Sequence, residues 1–168
     1  IESENSIINL LGDECELNYK GSNQLEFSNT KINFKNNVVL TSENTELTFV
    51  KVDYNSESFS IKTNGNIILP NGTINHLIIN SGETTFNSEN AAELIIRKLE
   101  LKNGTTFDIN SNINIKESWN DEGGTLTHNN YAVDFSSATG DENGIITING
   151  ATSFYDLKAT GLGRKTLS

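Results

Sequence analysis

His76 and His128 are the only imidazoles in this 168-residue chain, and Cys15 is its only thiol. Zinc asks for three or four His, Cys or carboxylate donors at short spacings. Neither histidine belongs to a His-Glu-x-x-His or Cys-His set, so no metal site is expected from them. No Gly-x-Ser-x-Gly elbow raises a serine nucleophile, and no glycine-rich loop is built to cradle a phosphate. Each histidine is expected to be an ordinary strand or surface residue. A single cysteine allows no internal disulfide. Among apolar neighbours Cys15 suits a core position, and an intermolecular disulfide is the other reading.

Carboxylates are the next candidates. Asp121-Glu122 and Asp141-Glu142 sit in glycine-flanked turns one repeat apart. Stacked turns bring such pairs together. A close pair can split its pKa values for acid–base cleavage of a polysaccharide, or it can collect oxygens for weak calcium binding. Neither stretch follows a known calcium-loop pattern, so solvated acidic turns are expected, with no catalytic residue, no metal site and no cofactor. Trp119, Tyr131 and Tyr155 are candidates for a sugar-stacking platform, although Trp119 in a strand suits a core better. Asn71-Gly72-Thr73 and Asn103-Gly104-Thr105 fit the N-glycosylation sequon, which chance also supplies in a chain so rich in Asn and Thr. Thr125-Leu126-Thr127 is one threonine pair without the array that ice binding needs.

Composition restricts the partners. The formal charge is −10 and the sequence pI about 4.6. Arg97 and Arg164 are the only arginines. Nucleic acid and anionic membrane surfaces both require clustered cations, so neither is an expected partner. No stretch is apolar enough to insert into a membrane. Asn is the commonest residue, Ile and Thr are abundant, Pro70 is the only proline and Met is absent. Such a mixture favours strands and tight turns over helices.

The elements that carry these residues alternate with period two. Leu25 and Phe27, Ile32 and Phe34, Leu47 and Phe49, Phe59 and Ile61, Ile113 and Ile115, and Ile146 and Ile148 each flank a polar residue. The stretch from Glu89 to Lys102 admits a helix but fits a strand better, because Leu99 and Leu101 alternate with Lys98, Glu100 and Lys102. Asn-Gly pairs at 64–65, 71–72, 103–104, 143–144 and 149–150 mark turns. Gly82, Gly104, Gly124 and Gly144 recur at intervals of 22, 20 and 20 residues, and Leu77 to Phe86 is echoed by Leu99 to Phe107. A unit of about 20 residues with two or three short strands is one coil of a parallel β-helix. At that period the chain holds about seven or eight coils.

From about Leu94 onward the chain resembles a repeat of large secreted bacterial surface proteins of adhesin type. The match rests on Asn103 to Asn130, on Ala132 to Ser137, and on Gly144 to Thr160, with Trp119 and Phe154-Tyr155-Asp156-Leu157 as its most recognisable points. Asp156 stands where that repeat more often has Asn. The resemblance covers a little under half the chain, with a fainter echo back to Ile74. It implies a right-handed parallel β-helix, similar to pectate-lyase-like or filamentous-haemagglutinin-like solenoids, in a secreted or cell-surface setting. It carries over no catalytic residues.

The expected fold is all-β: one β-solenoid module over residues 1–168, less regular over 1–60, where a capping or assembly strand is expected near Ile7 to Leu11, and clearest over 74–168. The expected core includes Ile113, Ile115, Trp119, Phe135, Ile146, Ile148 and Phe154. The expected role is a structural or adhesive building block of an extracellular surface layer, stalk or filament. Its partners would be identical subunits, further coils of a longer chain, or surface glycans. The alternative is a carbohydrate-binding or carbohydrate-processing β-helix.

Overall fold

The structure is a computed structural model. It describes residues 7–10, 14–20, 25–28, 31–34, 37–42, 47–50, 53–54, 60–69, 72–86, 94–136, 145–160 and 164–167. The first coils hold strands β1 (Ile7–Leu10), β2 (Glu14–Tyr19), β3 (Leu25–Ser28), β4 (Lys31–Phe34), β5 (Asn37–Ser42), β6 (Leu47–Val50) and β7 (Asp53–Tyr54). The middle holds β8 (Ser60–Asn64), β9 (Ile67–Leu69), β10 (Gly72–Ser81), β11 (Glu83–Phe86), β12 (Leu94–Leu101) and β13 (Thr106–Ile109). The last part holds β14 (Ile113–Asp121), β15 (Thr125–Thr127), β16 (Ala132–Phe135), β17 (Ile145–Asn149), β18 (Asp156–Lys158) and β19 (Arg164–Leu167). No described residue is helical.

Every described strand pairing is parallel. The strands fall into sheets of three, ten and six, and each sheet takes its strands from successive passes of the chain. This is a β-solenoid, as the alternation and turn spacing imply. On the ten-stranded sheet Cys15, Val38, Ile61, Leu77, Leu99, Trp119, Ile148 and Leu167 stand in one column. Their residue numbers give successive steps of 23, 23, 16, 22, 20, 29 and 19. The expected seven or eight evenly spaced coils are therefore met only in part: about four turns lie roughly 22 residues apart, and the steps of 16 and 29 break the rhythm.

The register also corrects the sequence echo. Leu77 pairs with Leu99 and Ile79 with Leu101, as the echo implies. Beyond the corner, Phe86 pairs with Ile109 and Phe107 with Thr84, so the two phenylalanines are not equivalent. The corner after Leu101 holds one residue more than the corner after Ile79. There the Thr105 N–H donates to the Lys102 carbonyl at 3.2 Å, and its Oγ1 donates to the same oxygen at 2.7 Å.

Inward positions carry the core. Along β12 the buried residues are Leu94, Ile96, Leu99 and Leu101, and along β13 they are Phe107 and Ile109. Ile113, Ile115, Trp119, Phe135, Ile146 and Ile148 are buried as expected, and Phe154 is partly buried against them. Trp119, Phe135 and Phe154 meet edge to face, with ring centroids 5.1 to 6.1 Å apart. Such pairs add to the burial itself. Two polar residues enter this core as a pair. Thr63 and Thr84 share a hydrogen bond at 2.8 Å, and Thr63 also donates to the Ile78 carbonyl at 3.4 Å. Buried hydroxyls are tolerated when paired in this way.

Candidate functional site

The outer face over β10, β12 and β14 carries a ladder of charges. His76 Nε2 lies 2.9 Å from Glu100 Oε1, and Lys102 Nζ lies 2.7 Å from Glu100 Oε2 and 2.8 Å from Glu122 Oε1. The Lys102 ammonium donates to Glu100 and, with its positive charge and that of His76, holds this carboxyl below its ordinary value of 4.5 against the opposing effect of burial. Hydrogen bonds to Glu100 and Glu122 raise Lys102 above 10.5. His76 is thus a hydrogen-bonding partner of Glu100 at the end of this ladder. A second cluster joins Arg97 and Lys98 to Glu117.

Asp121 closes a corner. Its Oδ1 accepts the N–H groups of Gly123 and Gly124 at 2.9 and 2.8 Å, and its Oδ2 accepts the Thr152 hydroxyl at 2.6 Å. That hydroxyl in turn accepts the Trp119 indole N–H at 2.9 Å. Asp121 and Glu122 are therefore each committed to neighbours within the fold. Asp141 and Glu142, their expected partners, lie outside the described residues, as do Asn71 and Gly144. Among the described residues no group of three or more His, Cys, Asp or Glu is placed to hold a metal ion. No described helix is long and apolar enough to cross a membrane.

Trp119 is fully buried, which removes it from the expected aromatic platform. Among the described residues the exposed aromatics are Tyr131 and Tyr155, with His128 as the neighbour the sequence did not suggest. Tyr155 lies over the His128 ring, with centroids 5.5 Å apart and planes inclined by 30°. Tyr155 is 59 % exposed and Tyr131 37 %. His128 and Tyr131 bracket a tight turn: the Tyr131 N–H donates to the His128 carbonyl at 2.7 Å, and Asn129 and Asn130 take φ of 45° and 65°. Both are Asn, the residue that best tolerates this region after Gly. The Asn129 amide then ties the turn to the coil beneath, donating to Asp108 Oδ1 at 2.5 Å and to Asn110 Oδ1 at 2.9 Å. The pairing of His128 with Tyr155 follows from stacking across coils and carries no local sequence signal.

The remaining candidates are dispersed. Asn103 lies exposed at its corner, while Thr105 of the same sequon is buried. Thr125 and Thr127 face outward, and in the coil beneath them stand Thr106 and Asp108, which is no threonine array. Cys15 is half-buried against the core.

The last described rung is open. Leu94, Ile113, Val133 and Leu157 form one inward column across β12, β14, β16 and β18. The first three are 0 to 1 % exposed and Leu157 is 43 % exposed. Among the described residues no strand pairs with the outer edge of β18 or of β19. No family model matches the chain, and neither a curated protein nor a solved structure matches it.

Proposed function

We propose that this solenoid is a structural or adhesive building block of an extracellular surface layer, stalk or filament, without a catalytic role of its own, and that further strands, from a longer chain or from an identical subunit, cover its last described rung. The observation that carries this reading is the column ending at Leu157, an inward position whose counterparts in the coils beneath are covered. An uncovered rung presents both apolar surface and unpaired backbone groups, which is a template for a further parallel strand. Joining unlike ends is a heterologous contact, and heterologous contacts that do not close generate filaments. The acidic, Asn- and Thr-rich surface suits an exposed, soluble stalk, and the resemblance to secreted bacterial surface repeats supports the same setting. Nucleic acid and membrane insertion stay outside this reading, because the charge of −10 opposes both kinds of anionic partner.

Sedimentation velocity over a range of micromolar concentrations tests it. The wild-type chain is expected to show a mass that rises with concentration, and Leu157→Asp is expected to remain a monomer. A wild-type chain that stays monomeric throughout contradicts the reading.

A further inference from the structure

We propose that Asn103 is a site of spontaneous covalent modification, the asparagine at which this fold permits ring closure with the following glycine and conversion to aspartate and isoaspartate. The inference does not rest on the building-block reading or on the open end of the solenoid. Asparagine is a thermally labile residue. Five Asn-Gly pairs occur in the sequence, and both residues are described at Asn64-Gly65, Asn103-Gly104 and Asn149-Gly150. Asn71, Asn143 and Gly144 lie outside the described residues. The three described pairs are the same dipeptide, so what separates them is their setting in the fold.

In the reaction the Gly104 nitrogen, having given its proton to water or hydroxide, bonds to Cγ of Asn103. The Cγ–Nδ2 bond breaks, and ammonia leaves with a proton taken from solvent. The product is a five-membered succinimide. Water then opens either of its carbonyls. One opening gives Asp, and the other gives isoaspartate, in which the main chain runs through Cγ. No oxidant or metal is consumed. The closure needs a side-chain amide free to turn, a backbone nitrogen free to approach, and room around the glycine. A following residue without a Cβ makes the approach easiest.

Asn103-Gly104 meets these needs. Both residues are exposed, at the corner between β12 and β13 in the middle of the solenoid. The Asn103 amide makes no hydrogen bond among the described residues, and a Cβ at Gly104 would meet nothing within 4 Å. The Gly104 N–H donates to the Gly123 carbonyl at 3.2 Å, at the long end of the range, and an exposed bond of this kind opens at small cost. Asn64 is held at both ends: its Nδ2 donates to Thr41 Oγ1 at 3.3 Å and its Oδ1 accepts Asn80 Nδ2 at 2.8 Å. The Gly65 N–H is committed to the Ser81 carbonyl at 2.9 Å, and a Cβ at Gly65 would overlap the Ser42 carbonyl oxygen. Gly150 is equally hemmed in, since a Cβ there would overlap the Asp121 carbonyl oxygen, and Asn149 has a partner of its own.

Peptide mapping by mass spectrometry tests the assignment on protein held at mildly alkaline pH, with enzymatic methyl labelling to detect isoaspartate. In the folded wild-type chain Asn103 is expected to convert about tenfold or more faster than Asn64 or Asn149, which corresponds to about 1.4 kcal/mol of barrier. Both Asp and isoaspartate are expected at position 103, because the ring opens either way. In denaturant the three pairs should convert at similar rates, since the fold is what protects Asn64 and Asn149. Gly104→Ala places a Cβ beside the attacking nitrogen and should slow conversion at Asn103. The wild-type comparison stands whatever the stability of that variant. Conversion of Asn64 or Asn149 as fast as Asn103 in the folded protein overturns the proposal. So does an Asn103 that converts in denaturant but survives in the folded chain, or a product that is Asp alone.

Discussion

The single indole of this chain holds a corner together as well as filling the core. Trp119 packs edge to face on Phe135 and Phe154, and its N–H reaches Asp121 through the Thr152 hydroxyl. Trp119→Ala should cost about 3–5 kcal/mol, the usual range for a buried aromatic reduced to alanine. Thr152→Val keeps the volume but strands the indole donor, at a cost of about 1–3 kcal/mol. Denaturant unfolding followed by circular dichroism measures both. A Thr152→Val protein as stable as wild type would show that the relay carries no weight. The charge ladder has a pH signature of its own. Glu100 is held below its ordinary value, so its contribution is complete above pH 4.5 and is lost as the pH falls through its lowered value. Lys102 is raised, so its contribution is complete below 10.5 and fades only above that. Both groups are part-exposed and screened, which limits the ladder to about 1 kcal/mol or less. Glu100→Gln should therefore flatten the acid limb of the stability curve below pH 4.5 and leave the neutral range nearly unchanged.

Corners decide which elements stack. Gly82 and Gly104 both take a φ of +75°, a conformation that costs an L side chain about 1–2 kcal/mol. Their surroundings differ. A Cβ at Gly82 would meet the Gly65 backbone at 2.6 Å, whereas one at Gly104 would meet nothing within 4 Å. Gly82→Ala should thus be clearly the more destabilising of the two in thermal melts, and equal melting temperatures would refute the close corner packing. These corners also explain what could be read from the sequence. Strand alternation at Ile113-Ile115 or Ile146-Ile148 was legible because burial on one face imposes period two. The Gly82 to Gly104 interval was legible because both positions require left-handed backbone. The match of Phe86 to Phe107 misled, since one extra residue at Lys102 to Thr105 shifts the register after the corner. The first coils escaped notice although Cys15, Val38 and Ile61 stand 23 residues apart in one column, because no Asn-Gly or glycine series marks their turns. Of the candidate site, the exposed tyrosines were legible as residue types. His128 beneath Tyr155 was not, since only stacked coils bring residues 27 positions apart face to face.

At the scale of the whole molecule, a solenoid has no closed core, and each rung is covered only by the next. Leu77, Leu99 and Trp119 are sealed by their neighbours, while Leu157 waits at the open end of its column. The central claim is that a further parallel strand covers that end in the working state. Amide hydrogen exchange resolved by residue tests it most directly, because pairing of an edge protects its N–H groups. The account predicts that the amides on the outer edge of β18 gain protection as protein concentration rises, while those within β10 and β12 are protected at every concentration. Edge amides that exchange equally fast at low and high concentration would contradict it.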